Sequence, residues 1–215
     1  MGSTRSEPSI GPYVFTWYDD PAALVRPWDP RGPAVADRLV ALIGDAFPVG
    51  TVEHIGSTAI PGCDGKGVID LMLLYPDGAL GPARDAIDRL GFQRFDAPGA
   101  FTDERPVRVG SVAHDGDRFR VHVHIIARDD PEVARQRHFR DTLRANPALV
   151  MAYVADKRRI AAGGGIVGGP QYATAKGAFI ASVNGTAGAG DASDSPVVDR
   201  DQGDNSGGRS RPAQG

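Results

Sequence analysis

The amino-acid sequence predicts an α+β fold, with helices packed on a mixed β-sheet and a helical C-terminal part. Three observations support this class. Strand patterns recur between residues 51 and 127, the segment from Gly67 to Tyr75 is almost continuously apolar, and helical patterns fill the sequence from Pro131 onward. Strands followed by a run of helices are typical of α+β domains, and a continuous apolar run indicates a central strand covered on both faces.

The first half of the predicted domain alternates between helices and strands. A helix is expected after a proline-broken stretch, with apolar residues at helical spacing: Val35, Leu39, Leu42, Ile43 and Ala46. A short β-branched strand over residues 51–56 and the apolar strand over 67–75 follow it, separated by a Gly-rich turn. A second helix ends before Gly91, a common residue after a helix C-terminus, and turns these residues inward: Ala83, Ala86, Ile87 and Leu90.

The second half begins with strands and continues with helices. Weaker strand patterns at 92–95 and 107–113 precede a clear one from Arg118 to Ala127. One face of that strand carries apolar residues: Phe119, Val121, Val123 and Ile125. The other face carries Arg120, His122 and His124, because side chains alternate along a strand. Helices are expected from Pro131, from Pro147 and over about 170–183, since Asp or Asn precedes each of the first two prolines.

Composition and charge exclude several classes of protein. Hydrophobic residues make up 41% of the chain, and no run approaches the roughly 18 apolar residues of a membrane-spanning helix. The N-terminus lacks the apolar run of a secretory signal, and the single cysteine, Cys63, excludes a disulfide framework within the chain. We therefore expect a cytoplasmic protein without a membrane partner. The net charge of -3 predicts no general binding of nucleic acid.

The two ends of the chain are predicted to be disordered. Residues 185–215 are rich in Gly, Ser, Asp and Pro, so they offer too little apolar surface to offset the entropy of ordering. Residues 1–11 have a similar composition. The predicted folded domain therefore spans residues 12–184.

A Gly-Ser-Thr turn is the first candidate binding feature. Gly56 has no Cβ, so the backbone and the hydroxyls of Ser57 and Thr58 can approach a phosphate closely. Asp70 on the next strand can hold a Mg²⁺ ion that bridges phosphate oxygens. The alternative is a tight turn whose hydroxyls satisfy the local backbone. Asp70 favours the binding interpretation, because an unpaired carboxylate inside a buried strand is costly.

The second candidate feature is the pair His122 and His124. Two histidines at i and i+2 project from the same face of a strand and can converge on one metal ion or one phosphate. The alternative is a half-exposed pair on a solvated face of the sheet. A histidine-triad hydrolase would place a third histidine two residues later, where this chain has Ile126.

Basic side chains form the third candidate feature. Arg137, Arg140 and Arg144 share one helix face, and a guanidinium can bind phosphate through two hydrogen bonds. The alternative is a solvated stripe in which Arg137 pairs with Asp141. Lysines at two further positions, Lys66 and Lys157, complete the candidate phosphate-binding set, although most lysines are solvated charges.

Four segments in order resemble those of the GrpB family: EHIGSTAIPG with KGVIDLML, VHVHII, HFRDTLRANPALVMAYVADKRRIA and YATAKGAFI. The resemblance spans about residues 12–184, and four ordered segments are more specific than any single motif. It implies a nucleotidyltransferase-like fold. In that fold a Gly-Ser turn holds nucleotide phosphate, and acidic residues on neighbouring strands bind a divalent metal.

The resemblance also implies roles for individual residues. Gly56 and Ser57 would form the phosphate turn, and Asp70 would be the first metal-binding carboxylate. The active superfamily usually has a second carboxylate two residues later, where this chain has Met72. A two-metal mechanism needs several anionic ligands, so we expect a single weak Mg²⁺ or Mn²⁺ site. His122, His124 and Glu53 are the candidate substitutes for the missing ligands.

These observations support one main hypothesis and two alternatives. The main hypothesis is an enzyme that transfers a nucleotidyl or related phosphoryl group from a nucleoside triphosphate to a small acceptor. Asp70, His122 and His124 would be catalytic, and the metal ligands would be Asp70, Glu53 and His124. Phosphate would be bound by Gly56, Ser57, Thr58, Lys66, Arg140 and Lys157. The alternatives are a non-catalytic nucleotide- or CoA-binding accessory domain, which Met72 favours, and a metal-dependent hydrolase centred on His122, His124 and Asp70.

Overall fold

The structure, a computed structural model, describes residues 9–10, 13–16, 25–95, 103–162 and 170–185. The predicted disorder of residues 1–11 and 185–215 therefore falls almost entirely outside the described residues. Two residues of the N-terminal segment, Ser9–Ile10, form a short strand.

The described strands form a single mixed sheet. They are β1 (Ser9–Ile10), β2 (Tyr13–Thr16), β3 (Thr51–Ile55), β4 (Val68–Tyr75), β5 (Gln93–Arg94), β6 (Val107–His114) and β7 (Asp117–Ala127). The order across the sheet is β1-β2-β6-β7-β4-β3, and β5 also pairs with β6. The pairing of β4 with β7 is parallel, whereas β3 with β4 and β6 with β7 are antiparallel. The predicted mixed sheet is confirmed, and β4 is an interior strand as expected.

Five helices complete the described fold: α1 (Gly32–Ala46), α2 (Leu80–Arg89), α3 (Pro131–Ala145), α4 (Pro147–Ala162) and α5 (Pro170–Gly185). The start of α3 follows the predicted rule, because the Asp130 carboxylate accepts a 2.8 Å hydrogen bond from the backbone of Glu132 and Pro131 occupies the first turn. Within the described part of the chain, no helix combines the length and apolar character needed to cross a membrane.

The two faces of the sheet have different surroundings. One face packs against α1 and α2 through a core that includes the predicted apolar face of β7: Phe119, Val121, Val123 and Ile125. A second cluster joins α3, α4 and α5 to the loop before β4 through Ile60 and Cys63. The opposite face of the sheet carries Asp70 and the two histidines of β7, beside a small third cluster. The sheet therefore separates its main core from the candidate site.

Candidate functional site

The parallel pairing of β4 with β7 brings Asp70, His122 and His124 together, and we call these three residues the triad. Asp70 lies opposite His122, and the next site-facing residue of β4 lies opposite His124, so all three side chains share one face. The Asp70 Oδ1 atom lies 3.4 Å from His124 Nε2 and 3.6 Å from His122 Nδ1. The structure thus places the three predicted catalytic residues in a single cluster.

The triad has the arrangement of a metal-binding group. One ligand atom from each residue lies within 4.8 Å of the other two. The side chains are 19% (His122), 25% (Asp70) and 24% (His124) exposed, so a ligand from solvent can reach them. Imidazole nitrogens and carboxylate oxygens are common protein ligands of divalent ions. The donors present therefore fit a divalent metal ion.

Gly56 connects the predicted phosphate turn to the triad. Its backbone has φ 72° and ψ -171°, a region that is essentially restricted to glycine. A Cβ atom at this position would lie 2.5 Å from Asp70 Oδ2, well inside van der Waals contact. Glycine is therefore required for the backbone angles and for the close approach, and the turn at Gly56 and Ser57 lies directly against the Asp70 carboxylate.

Ser57 and Lys157 both approach Gly65. A Cβ atom on Gly65 would lie 2.6 Å from Ser57 Oγ and 3.6 Å from Lys157 Nζ. Lys157 is only 2% exposed, and its ammonium group donates to the Asp64 carbonyl and lies 4.3 Å from the centre of the Tyr153 ring. The structure therefore brings Lys157 of α4 to the Gly-Ser turn, with its charge held by the loop that precedes β4.

Thr58 has a structural position that differs from its predicted role. Its hydroxyl donates a 3.0 Å hydrogen bond to the Val68 carbonyl, and the residue is 9% exposed. His54 Nε2 lies 3.0 Å from the same hydroxyl oxygen. Because the Thr58 hydroxyl already donates to Val68, it accepts the hydrogen bond from His54. Thr58 thus satisfies the local backbone, as the alternative interpretation of the turn predicted.

Glu53 does not join the triad. Its carboxylate accepts hydrogen bonds from Arg137 and from Arg140, the latter at 3.1 Å. Arg140 also donates to the Asp141 carboxylate at 2.8 Å and to the His54 carbonyl at 3.2 Å. These arginines fix α3 to the exposed edge of β3 and lower the pKa of Glu53, Arg137 having the larger effect. In the structure Glu53 and Arg140, the predicted metal ligand and phosphate ligand, pair with each other, and Arg137 donates to Glu53.

Met72 occupies the position where the family resemblance would place a second metal-binding carboxylate. It is fully buried in the third cluster, with Ile55 of β3, Leu74 of β4, Ile126 of β7 and Val133 of α3. An ionised carboxylate in this apolar environment would need a compensating partner. The site therefore has one carboxylate on β4, consistent with a single metal ion.

Arg120 is a candidate site residue that the sequence interpretation placed on the correct face but did not select. It lies two residues before His122 on the same face of β7 and is 9% exposed. Its Nη2 atom donates a 2.6 Å hydrogen bond to the carbonyl of Lys66, in the loop that leads into β4. Its spacing of two and four residues from His122 and His124 could have identified Arg120 as a site residue. Arg120 thereby brings a buried positive charge to the triad face and supports the loop that contains Lys66.

His54 is a second residue that the sequence interpretation did not select, and it makes stability dependent on pH. Burial lowers its pKa to about 4, against opposing effects of Asp70 and Asp37, while Arg144 and Arg140 lower it further. The unfolded chain binds a proton near pH 6.5, whereas the folded chain does so only near pH 4. Stability conferred by neutral His54 is therefore fully present above about pH 6.5 and is lost as the pH falls toward 4.

We expect the variant His54→Gln to have a flatter dependence of stability on pH. The Gln amide can still donate to Thr58, but it does not titrate. Between pH 7.5 and pH 5, the unfolding free energy of the wild type should fall by about 1–2 kcal/mol more than that of the variant. Urea unfolding of both proteins in the presence of a chelator measures this. Equal losses in both proteins would contradict the assignment.

The variant Glu53→Gln tests whether Glu53 is structural. We expect its unfolding free energy to fall by about 1–2 kcal/mol, because two arginines lose a charged acceptor. Its affinity for Mn²⁺, measured by calorimetric titration, should stay within about twofold of the wild type, since second-site effects that reach a metal are usually tenfold or more. A tenfold loss of Mn²⁺ affinity in a folded Glu53→Gln protein would indicate that Glu53 is a metal ligand.

Comparison with known proteins supports the resemblance seen in the sequence. A family model described as GrpB protein matches residues 23–185. A UPF0157 protein of Halalkalibacterium halodurans is 32% identical over 138 residues, covering 62% of this chain and 67% of the relative. A UPF0157 protein of Deinococcus radiodurans is 31% identical over 160 residues, covering 74% and 79%.

One solved structure agrees with the family assignment. The crystal structure of the conserved protein GrpB from Enterococcus faecalis matches with a TM-score of 0.60 and 25% identity, covering 76% of this chain and 96% of that one. Cid1 in complex with its short product ApU matches with a TM-score of 0.43 and 15% identity, over 61% and 42% of the two chains, which is too low to bear on activity. The chain belongs to the GrpB family.

Proposed function

We propose that this protein transfers a nucleotidyl group from a nucleoside triphosphate to a small-molecule acceptor, using a divalent metal ion at the triad. The contact between Gly56 and Asp70 carries the proposal, because it joins a Gly-Ser turn suited to phosphate with a metal-ligand group in a single site. The resemblance to nucleotidyltransferase-like proteins implies the same pairing of features. The contact supports the proposal independently of that resemblance, since it follows from the backbone angles of Gly56 and the position of the Asp70 side chain.

Each residue of the site has a distinct role in this proposal. Asp70, His122 and His124 would hold the ion, which when bound supplies positive charge to phosphate oxygens. Gly56 leaves room for the Asp70 carboxylate to lie directly against the turn, and a phosphate bound at the turn would accept a hydrogen bond from the Ser57 hydroxyl. Lys157 lies beside Ser57 and adds positive potential at the turn. Phosphoryl and nucleotidyl transfers are accelerated mainly by such positioning and charge stabilisation.

Two cationic side chains of the site are held by hydrogen bonds to the loop that precedes β4. Arg120 and Lys157 are both buried and donate to the loop carbonyls of Lys66 and Asp64. Their charges therefore stay fixed near the place where the triphosphate would lie, which avoids reorganisation during the reaction. This fixed positive field replaces the contribution that the sequence assigned to Arg140.

An assay of pyrophosphate release tests the proposal directly. The protein is incubated with each of the four ribonucleoside triphosphates, with Mn²⁺ or Mg²⁺, in the presence of a pool of small metabolites. We expect pyrophosphate release and a nucleotidylated product, detected by mass spectrometry, which a chelator abolishes. Absence of both pyrophosphate and product with all four nucleotides would overturn the proposal.

A non-catalytic binding domain is the second candidate, and the buried Met72 favours it. A site with one carboxylate could retain a pocket for a nucleotide or CoA without turnover. Calorimetric titration with ATP, CTP and CoA, with and without metal, distinguishes the two. Binding that needs no metal, together with no pyrophosphate release, would support the binding domain.

A metal-dependent hydrolase is the third candidate, and the two imidazoles of the triad favour it. Such an enzyme would release free nucleotide or phosphate without joining either to an acceptor. The same mass-spectrometric assay separates this activity from transfer, because hydrolysis yields no nucleotidylated product in the metabolite pool.

A further inference from the structure

We infer that the triad binds one first-row transition-metal ion, such as Zn²⁺, Co²⁺, Fe²⁺ or Mn²⁺, in preference to Mg²⁺. The inference deepens the proposed function by naming the class of ion, and it rests on the premise of that proposal that the triad binds a metal. Three observations support it: the separations of the donor atoms, their chemical identity, and the lack of further carboxylate ligands among the described neighbours.

The separations match those of two ligands that share an ion. Donors at about 2.0–2.2 Å from one ion, at angles of about 90–110°, lie about 2.8–3.6 Å apart. The Asp70 Oδ1 atom lies 3.4 Å from His124 Nε2 and 3.6 Å from His122 Nδ1. A charge-assisted hydrogen bond between histidine and a carboxylate would bring these atoms to about 2.7–2.9 Å. The 3.4 Å separation is within hydrogen-bond distance, and both separations are also wide enough for the two atoms of each pair to share an ion.

The donor atoms favour a transition metal. Mg²⁺ prefers oxygen ligands and retains much of its water shell, whereas imidazole nitrogens suit Zn²⁺, Fe²⁺ and related ions. Two imidazoles with one carboxylate also form the ligand set of many non-haem iron sites. The triad contributes two nitrogens and one oxygen, so its composition disfavours Mg²⁺.

The neighbouring side chains do not restore an oxygen-rich site. Glu53 is engaged by Arg137 and Arg140, and Met72 is buried in an apolar cluster. Within the described ranges, the triad is the group of three or more potential ligands that the structure brings together. One ion, held mainly by nitrogen, is the occupancy that these residues support.

Titration of the full chain with Co²⁺ tests this inference without any assay of turnover. The protein is first stripped with a chelator, and Co²⁺ binding is followed by its visible absorption. We expect one Co²⁺ per chain. Equimolar Zn²⁺ should displace it, whereas a roughly 100-fold excess of Mg²⁺ should not.

Histidine variants assign the bound ion to the triad. His122→Asn and His124→Asn should each weaken Co²⁺ binding at least about tenfold. These variants keep a polar side chain, and circular dichroism verifies that they fold. The matched control is His138→Ala, since His138 is an exposed histidine on α3, and it should bind Co²⁺ like the wild type. Wild-type affinity in both triad variants would overturn the inference, as would stoichiometric displacement of Co²⁺ by Mg²⁺.

The outcomes for the ion and for the reaction are separable. Co²⁺ binding that depends on both histidines, without transfer from any nucleotide, would support the inference and contradict the proposed function. Transfer that runs with Mg²⁺ and is lost in both histidine variants, without any Co²⁺ binding, would overturn the inference and leave the proposed function intact.

Discussion

Replacement of Asp70 by Asn is expected to lower metal affinity at least about 100-fold and nucleotidyl transfer by a factor of about 10² to 10³ or more. Asp70 supplies the single carboxylate of the triad and lies within 3.6 Å of a nitrogen of each histidine. Asn keeps the size of the side chain but removes the negative charge that balances the ion. The loss should therefore be chemical, and the variant should fold.

The control for this variant is Asp77→Asn. Asp77 is exposed in the turn after β4, so it tests the same substitution outside the site. We expect wild-type metal affinity and activity in Asp77→Asn, because polar changes at exposed positions are small in effect. The Asp70 side chain is 25% exposed, and the unfolding free energy of Asp70→Asn should stay within about 1 kcal/mol of the wild type because Asn keeps its size and can still form hydrogen bonds. A folded Asp70→Asn protein with wild-type metal affinity and transfer would remove Asp70 from the mechanism.

Replacement of Gly56 by Ala should damage both stability and metal binding. The backbone angles of Gly56 are essentially restricted to glycine, which costs about 1–3 kcal/mol for another residue. The added Cβ would also collide with Asp70 Oδ2, since it would lie 2.5 Å away. We expect a fall of about 2–4 kcal/mol in the unfolding free energy and at least a tenfold loss of metal affinity, because Asp70 must move.

Gly62→Ala separates the two effects. Gly62 has the same φ of 72°, but a Cβ atom there would meet nothing within 4 Å. This control should lose about 1 kcal/mol of stability through backbone strain and keep its affinity for metal. Urea unfolding and Co²⁺ titration of both variants provide the measurements. Equal metal affinity in the two variants would contradict the contact between the turn and Asp70.

The secondary structure of the domain could be predicted because local patterns determine it. The apolar run that became β4 and the alternation that became β7 are each visible within a few residues, and Pro131 after Asp130 marks the start of α3. Strands β1 and β2 lack such a pattern, since each is only two to four residues long. β1 pairs with the neighbouring β2, and β2 joins the rest of the sheet through β6, which is distant in the sequence. Their assignment depends on tertiary contacts.

The triad could be predicted from the sequence in part. A charge inside an apolar strand and two histidines on one strand face are local signals. The parallel register that places Asp70 opposite His122 is not local, because 52 positions of chain separate the two residues. The resemblance to a known family was needed to associate the two strands.

The errors in the predicted site have a common physical cause. Glu53 and Arg140 are 87 positions apart in the sequence, yet they form an ion pair in the fold. The sequence interpretation had assigned Glu53 to a metal ion and Arg140 to a phosphate. Thr58 likewise donates its hydroxyl hydrogen bond to the Val68 carbonyl across the turn. Sequence patterns identify residues capable of a role, whereas competition among partners is decided only by the fold.

A crystal structure of the protein grown with Mn²⁺ tests the central claim most directly. Anomalous scattering locates the ion without any assumption about substrate or activity. We expect an anomalous peak bounded by Asp70, His122 and His124, beside the Gly56 turn, which disappears in crystals of Asp70→Asn. A peak elsewhere, or none at the triad when Mn²⁺ is saturating in solution, would contradict the claim that this face of the sheet is the metal site.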